Sequence, residues 1–338
     1  MAEFLTGFSN ILWGAPVLIL LGIVGLLYGI RTKFFQIRKM GYILKNTAGE
    51  MFKKGGGASG DKGTLTPLQA VCSALAGCVG TANIAGVATA MVVGGPGAVF
   101  WMWVIALLGS STAFIEATLA QLYKEKDPLY GGYRGGPAYY LHHLFIRKGS
   151  RRKRSVIASL FALSGLICWF GISQVTANSI SSSFENAFHI PPLYSTIALV
   201  AVAAVIVLRK NTTVKVLDII VPIMAACYFF ITVFIIIHNA PALPAVFERI
   251  FAEAFGLRQA VAGGLGAVIM NGAKRGLFSN EAGSGSAPCA AAAADISHPA
   301  KEGLLQALGV FIDTIVICTI TGLCIVITGA WNMGLEGV

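Results

Sequence analysis

The feature that most constrains this sequence is a pair of apolar stretches, each long enough to cross a bilayer and each interrupted near its middle. Glycine and polar residues make the interruptions, which run through residues 77–86 and 278–288. Glycine weakens a helix by about 1 kcal/mol relative to alanine, so a continuous helix is disfavoured at both places. In hydrocarbon, unwound backbone is tolerated only where it is buried in protein or lines a cavity. Two such interruptions, one early and one late, predict a ligand site at mid-membrane depth.

The composition excludes a soluble domain. Of the 338 residues, 56% are hydrophobic and only 12% are charged, whereas a soluble domain carries about 25% charged residues. Eight apolar segments predict an all-α polytopic membrane protein. We place them at residues 11–30, 66–93, 97–123, 156–180, 193–208, 216–238, 264–294 and 303–330. The seven cysteines lie within apolar runs without metal-ligand spacing, so we interpret them as buried apolar side chains.

The distribution of basic residues predicts the orientation. The loops 31–65, 124–155 and 209–215 carry eight, nine and three Lys or Arg residues, which are 20 of the 25 in the chain. The loops that alternate with them are nearly free of basic residues. Because positively charged loops stay in the cytoplasm, we expect these three loops inside and the N-terminus outside. The same loops account for the net charge of +10, so we expect a lipid bilayer around the chain and no nucleic-acid partner.

Each interruption contains polar side chains that suit a ligand site. Asn83 lies beside the first, where freed carbonyls and its own amide oxygen suit a desolvated sodium ion and freed amides suit a carboxylate. Packing of small residues between helices is the alternative explanation of the glycines there. Asn280 and Glu281 lie in the second. A lipid-facing carboxylate costs about 2.5 kcal/mol or more, so Glu281 is expected to face the interior, bonded to freed amides or to an ion or proton.

Four more polar residues lie inside apolar helices. Gln174 and Asn178 are one turn apart and therefore share a face. Asp313 is expected to be an ion ligand, because an intramembrane carboxylate is functional by default. For Glu116 the sequence leaves two roles open, which are ion binding and the bracing of unwound backbone.

Four longer motifs carry a family resemblance. They are GTANIAGVATA at residues 80–90, YRGGPAYY at 133–140, KRGLFSNEAGSGSAP at 274–288 and HPAKEG at 298–303. They resemble the alanine/glycine:cation symporter family, the sodium:alanine symporters, over nearly the whole chain. The resemblance implies a leucine-transporter-type fold of two inverted five-helix repeats, preceded here by one extra helix.

The resemblance also implies a domain organisation. The chain is expected to be a single transmembrane domain, residues 1–338. Residues 11–30 would form the extra helix, 66–238 the first five-helix repeat, and 264–330 the first two helices of the second repeat. The remainder of the second repeat is expected to be absent from this sequence, so a truncated, non-transporting fragment is one alternative to full activity.

The function that the resemblance implies is sodium-coupled symport of alanine or glycine into the cell by alternating access. The expected location is the plasma membrane, meaning the inner membrane of a bacterium or archaeon. No cofactor is expected besides the coupling sodium ion, and no enzymatic activity.

Site residues follow from the matching motif positions. The residues expected around the substrate are Thr81, Ala82, Asn83, Gln174, Phe278 and Asn280. Asn83, Ser279 and Asp313 match positions around the sodium ion nearest the substrate carboxylate. The family usually has glycine where this chain has Ala82, so a tighter pocket or altered unwinding is expected there.

Two other function classes remain as alternatives. An intramembrane enzyme needs a nucleophile and a base at membrane depth, and Ser286 with His298 is the candidate pair. A channel would need a repeated pore-lining ring or a selectivity filter, and neither is evident in the sequence.

Overall fold

The computed structural model describes residues 11–51, 80–128, 131–146, 155–208, 212–257 and 264–332, together with Glu3, Gly7 and Phe8. The predicted span 66–93 is therefore described only from Gly80 onward, and its first half lies outside the described residues. Nearly all of the described chain is helical, as the composition predicts.

The helices are numbered here in chain order. The first group is α1 (Ala15–Arg31), α2 (Phe35–Arg38), α3 (Met40–Met51), α4 (Val87–Gly94), α5 (Ala98–Leu122) and α6 (Pro137–Phe145). The second group is α7 (Val156–Phe188), α8 (Pro192–Leu208), α9 (Thr212–His238) and α10 (Leu243–Ala254). The third group is α11 (Gly264–Asn280), α12 (Ser286–Ala293), α13 (Pro299–Val310) and α14 (Cys318–Thr328).

Shorter elements connect these helices. Two segments have π-helical backbone, π1 (Ala82–Gly86) before α4 and π2 (Phe311–Ile317) between α13 and α14. Single 3-10 turns occur at Ala240–Ala242 and Ala330–Asn332. Strands β1 (Glu125–Lys126) and β2 (Tyr133–Arg134) form an antiparallel pair with Glu125 opposite Arg134. Proline in the first turn begins α1, α6 and α13, where its missing N–H is not needed.

Among the described residues, three helices have the length and apolar composition to cross a membrane. They are α5, α7 and the continuous helix Pro299–Thr328, which contains α13, π2 and α14. The pair α9 and α10, bent by 74°, makes a fourth if it is counted as one span. Shorter apolar helices occur at Ala15–Arg31, Ala82–Gly94 and Pro192–Ile206. The all-α membrane class is thus supported, while the count of eight spans and the inverted repeats stay predictions.

Helix α5 lies at the centre of the packing and contacts α13, α11, α1 and α12. Its buried face is rich in small residues, including Ala106, Gly109, Ala113 and Ala117. Small side chains let neighbouring backbones approach closely, which is how membrane helices gain packing energy. The centre of the molecule is therefore built around α5, and the interrupted helices pack directly on it.

Three local features differ from the sequence expectations. Helix α7 extends to Phe188, two turns beyond the predicted end at residue 180. The basic loops contain α2, α3, α6 and the β1–β2 pair. The expected unwinding at Gly80–Asn83 is wrong at Thr81, whose φ of −54° and ψ of −36° are helical. The chain accommodates the glycines there by widening the helix to a π-helical turn, which keeps its backbone bonded.

Candidate functional site

The candidate site lies where π1, π2 and α11 meet, since these three elements contact one another. π-Helical turns are rare and frequently mark functional sites, because the wider turn reorients side chains within an otherwise regular helix. π1 places one buried polar side chain at the junction, Asn83, and π2 places two, Asp313 and Thr314. The last turn of α11 adds Ser279.

Asn83 connects all parts of this junction. It is 1% exposed. Its Nδ2 donates to Asp313 Oδ1 at 2.8 Å and to Ser279 Oγ at 3.2 Å. Its Oδ1 accepts from Gly80 N at 3.1 Å. The three residues expected around a sodium ion are therefore in direct contact. Ser279 and Asp313 reach Asn83 although they lie 196 and 230 positions from it in sequence.

Asp313 is held by hydroxyl groups on its second carboxylate oxygen. Oδ2 accepts from Ser279 Oγ at 2.6 Å and from Thr314 Oγ1 at 3.0 Å. Ser279 and Thr314 are fully buried, and Asp313 is 1% exposed. Hydrogen bonds to an ionised acceptor are the stronger class, so these contacts stabilise the carboxylate form.

The charge of the junction is unbalanced. Within the described residues, the hydrogen-bond partners of Asp313 are neutral: Asn83, Ser279 and Thr314. An intramembrane carboxylate is costly unless a cation or a proton compensates it. The junction therefore combines one negative charge with several oxygen atoms in a dry setting, which is the chemistry that a hard monovalent cation prefers.

The second interruption is an open turn, as the sequence predicts. Helix α11 ends at Asn280 and α12 begins at Ser286. Between them the backbone takes positive φ values of 51° at Glu281, 90° at Gly283 and 88° at Gly285. Such values are open to glycine but unusual for other residues, so glycine is required at two of these three positions.

The amide groups of this turn already have protein acceptors. The N–H groups of Ala282, Gly283 and Ser284 donate to Asn280 Oδ1 at 3.0 Å, Glu116 Oε2 at 3.1 Å and Glu281 O at 3.0 Å. Freed amides at this interruption were expected as possible partners of the Glu281 carboxylate, and these three have other acceptors. The turn is satisfied from within the protein, although Gly283 and Ser284 are exposed.

Two carboxylates at this turn have different hydrogen-bond partners. Glu116 of α5 braces the turn through Gly283 N, which is one of the two roles that the sequence left open. For Glu281 the sequence left open bonding to freed amides and binding of an ion or a proton; in the structure its Oε2 accepts from the hydroxyl of Ser286. The turn is therefore braced from the neighbouring helix α5, while the side chain of Glu281 is bonded to the first residue of α12.

Asn280 retains one unused donor. The residue is 2% exposed, and its Nδ2 has no hydrogen-bond partner within the described part of the chain. A Cβ atom placed on Gly109 would lie 3.0 Å from this nitrogen, so α5 passes close beside it. A buried donor without a partner costs about 1–3 kcal/mol. A ligand oxygen would remove that cost.

The remaining predicted substrate residues differ in burial and in whether they lie at the junction. Ala82 is buried and Thr81 is half-buried at the start of π1, next to Asn83. Phe278 is half-buried one residue before Ser279. Gln174 is exposed on α7, and the described contacts do not bring it to the junction. The structure thus assembles five of the six on two neighbouring elements.

Sequence reasoning missed two members of the junction. Thr314 follows Asp313 directly, and Cys318 Sγ lies 3.3 Å from both Asn83 Nδ2 and Ser279 Oγ. In a regular α-helix, residues three or four apart share a face. Cys318 is five residues from Asp313, and the π-helical turn brings it to the same face, so the α-helical period gives no signal for it.

The enzyme alternative lacks an assembled pair. Ser286 Oγ is bonded to Glu281 and lies 2.8 Å from Ser284 Oγ. His298 is exposed and accepts from Ala300 N through Nδ1, capping α13. Each side chain therefore has a structural partner of its own.

The far end of α12 is fastened to α5. Gln121 Nε2 donates to Ala294 O at 2.8 Å, and Lys124 Nζ donates to the same carbonyl at 3.0 Å. Burial lowers the pKa of Lys124, while the carboxylates of Asp295 and Glu302 act in the opposite direction. Both ends of α12 are thus tied to α5, by Glu116 at the turn and by this pair at the other end.

Comparison with known proteins adds a family. The sequence model of the "Sodium:alanine symporter family" matches residues 1–338. The chain is 42% identical over 343 residues to "Probable sodium/glutamine symporter GlnT" of Bacillus subtilis, covering 99% of this chain and 68% of GlnT. It is 44% identical over 322 residues to "Amino-acid carrier protein AlsT" of the same species, covering 94% of this chain and 65% of AlsT.

An archaeal relative gives the same picture. The chain is 39% identical over 323 residues to "Sodium/alanine symporter AgcS" of Methanococcus maripaludis, covering 95% of this chain and 69% of AgcS. The chain therefore spans about two thirds of the length of the curated relatives it matches.

Proposed function

Because this chain belongs to the sodium:alanine symporter family, we propose that it forms the ion- and substrate-binding part of a symporter that moves alanine or glycine into the cell with sodium. Sodium binding would favour the outward-open state, and the substrate would close the cavity. Rocking of the interrupted helices would then release both inside. The observation that carries this proposal is the buried contact of Asn83, Ser279 and Asp313.

Sodium is assigned to this junction on chemical grounds. The carboxylate of Asp313 supplies the counter-charge, and the hydroxyls of Ser279 and Thr314 supply neutral oxygen atoms. Oxygen ligands of this kind suit hard cations, whereas sulfur and imidazole select softer metals. A proton on Asp313 is the competing way to neutralise the same charge.

The amino acid is assigned beside the sodium ion. Its carboxylate would accept from Asn280 Nδ2, the buried donor that has no hydrogen-bond partner among the described residues. Thr81, Ala82 and Phe278 would border its side chain, with Ala82 narrowing the space. No described contact supports Gln174, whose side chain is exposed, so its role requires α7 to approach the junction during transport.

The proposal includes the membrane arrangement. We place the N-terminus outside, the loops 31–65, 124–155 and 209–215 in the cytoplasm, and the chain in the plasma membrane of a bacterium or archaeon. Residues 66–238 would make the first repeat and 264–330 the start of the second. The bias of basic residues supports this orientation.

The experiment measures labelled alanine in proteoliposomes that contain the purified chain. Uptake is compared between an inward sodium gradient and the same gradient of choline, and equilibrium binding of alanine is titrated with sodium in parallel. We expect uptake to depend on sodium and alanine binding to tighten as sodium rises. Uptake and binding that are both indifferent to sodium would overturn the proposal.

Substrate choice is tested in the same titration, because the relative GlnT is named as a probable sodium/glutamine symporter. Alanine, glycine and glutamine compete against labelled alanine at saturating sodium. We expect glycine to compete and glutamine to fail, since Ala82 narrows the proposed pocket. Effective competition by glutamine would reject the small-substrate assignment and leave the sodium site standing.

A further inference from the structure

Helices α2 and α3 form a short segment that lies on the body of the protein by one face. Ile43 of α3 is 1% exposed and packs with Leu304 and Leu308 of α13. Gln36 of α2 is buried, and its Nε2 donates to Ser111 Oγ of α5 at 2.5 Å. The segment is therefore docked on α5 and α13, and its orientation is fixed.

The opposite face of the segment is apolar and basic at once. Ile37 and Leu44 are exposed by 48% and 50%, and Lys45 is also exposed. Lys39 and Tyr42 are exposed at the edge of the segment that faces α13. Large apolar side chains alternating with lysines are typical of helices that lie in the interface between lipid headgroups and acyl chains.

Between this segment and α13 is a cavity of about 460 Å³. Its inner wall is apolar and includes Phe35, Phe114 and Leu304. The rings of Phe35 and Phe114 lie at a centroid distance of 6.2 Å and are tilted by 53° to each other. The wall can accept hydrocarbon but offers little to a fully hydrated ion.

The rim of the same cavity is basic. Lys39 reaches it from the end of α2 and Lys301 from the first turn of α13, and Tyr42 and His298 complete the polar part of the lining. Among the described residues that line the cavity, two are lysines and none is a carboxylate. Lys301 Nζ also donates to Ser297 Oγ at 2.8 Å.

We propose that this cavity binds the headgroup of an anionic phospholipid from the surrounding leaflet. Two ammonium groups complement the phosphate, and the apolar wall takes the adjoining glycerol and acyl carbons. Basic pockets between membrane helices on the cytoplasmic side bind anionic headgroups by this combination. Free phosphate would use the lysines but leave the apolar wall unused, which is why we favour a lipid. The site is separate from the Asp313 junction and does not depend on the transport function.

The test measures lipid retention by native mass spectrometry of the purified chain exchanged into neutral detergent. The probes are phosphatidylglycerol, phosphatidylcholine with the same acyl chains, and glycerol 3-phosphate. Lys39→Ala and Lys301→Ala are compared with Lys45→Ala, which removes the same charge from α3 outside the cavity. Because each lysine near a membrane surface contributes a factor of about five in affinity, we expect about fivefold weaker retention of phosphatidylglycerol for either cavity variant.

The double variant should lose about thirtyfold if the two lysines act together on one phosphate. Lys45→Ala and retention of phosphatidylcholine should stay unchanged, and Lys39→Arg should keep most of the binding because it keeps the charge at an exposed position. Three results would overturn the proposal. They are equal losses for Lys45→Ala and Lys39→Ala, equal retention of both phospholipids, and competition by glycerol 3-phosphate as effective as that by the lipid.

Discussion

The two interruptions of the apolar spans look alike in sequence, yet the protein uses them in different ways. π1 keeps helical backbone and turns the side chain of Asn83 toward Asp313, which stands in a second π-helical segment. The turn between α11 and α12 breaks the helix, and its amide groups are bonded within the protein. The first gives a polar junction with unbalanced charge, and the second gives a braced bend. A glycine-rich break in a membrane helix is therefore not in itself a ligand site.

The largest effect is expected at the junction. Asp313→Asn removes the negative charge and keeps the shape of the side chain. Because the loss of one member of a buried charge pair costs about 3–5 kcal/mol, sodium affinity should fall by about 100-fold or more. The measurement is equilibrium binding of radioactive sodium to the purified chain. Glu248→Gln, an exposed carboxylate on α10, is the matched control and should bind as the unmodified chain does.

A glycine pair tests the backbone difference between the two interruptions. Gly285 has a φ of 88°, and an added Cβ would lie 2.6 Å from Phe161 Cζ and 2.7 Å from Pro137 Cγ. Gly86 of π1 has a helical φ of −62°, and among the described residues the nearest atom to an added Cβ is Thr81 O, 3.8 Å away. Strain and crowding should make Gly285→Ala destabilising by about 2 kcal/mol.

Gly86→Ala is the control for that measurement and should be neutral or slightly stabilising, by less than about 1 kcal/mol. Both variants are compared by the free energy of unfolding in mixed micelles titrated with a denaturing detergent. If Gly86→Ala proved the more harmful of the two, the helical description of π1 would be wrong.

Asn83→Ala should come next in size. It removes the donor to Asp313 Oδ1 and Ser279 Oγ. Hydrogen bonds to charged groups contribute about 1.5–3 kcal/mol, so sodium affinity should fall by about 10- to 100-fold and alanine binding should weaken with it. The measurement is the binding isotherm of sodium and of alanine, and Asn178→Ala on the exposed face of α7 is the control. Unchanged isotherms would remove Asn83 from the site.

Glu116 should give the smallest effect and the clearest separation of roles. Glu116→Ala deletes the acceptor for Gly283 N, which should lower the free energy of unfolding by about 1 kcal/mol. Sodium affinity should stay the same, since Glu116 lies at the braced turn and not at the junction. Glu116→Gln keeps an acceptor oxygen and should recover most of the stability. A sodium affinity that fell with Glu116→Gln would instead give Glu116 the ion-binding role.

Much of the fold class could be predicted because the apolar composition and the length of a segment identify a membrane helix. The contact of Asn83, Ser279 and Asp313 was predictable only through the family motifs, since hydropathy gives no information about which helices touch. Cys318 could not be predicted as a member of the junction because its position depends on a π-helical turn, which the α-helical period does not describe. Glu116 was ambiguous because bracing and ion binding both require the same residue type at the same depth.

The basic loops show the opposite case. Their charge predicted an orientation, but α2 and α3 within them were not predicted, because lysines and glycines obscure the apolar positions. Only the contacts of Ile43 with α13 and of Gln36 with α5 show which face of each short helix is buried. Tertiary packing, and not local propensity, decides such short helices.

The most direct test of the junction as a cation site uses thallium(I), a heavy monovalent cation that substitutes for sodium and is located by its anomalous scattering. Crystals of the chain are grown with thallium alone and with a large excess of sodium. We expect one anomalous peak in contact with oxygen atoms of Asp313 and Ser279, weakened by sodium and missing in Asp313→Asn. A sodium-sensitive peak at any other place, or a peak at Asp313 that sodium does not displace, would contradict the assignment.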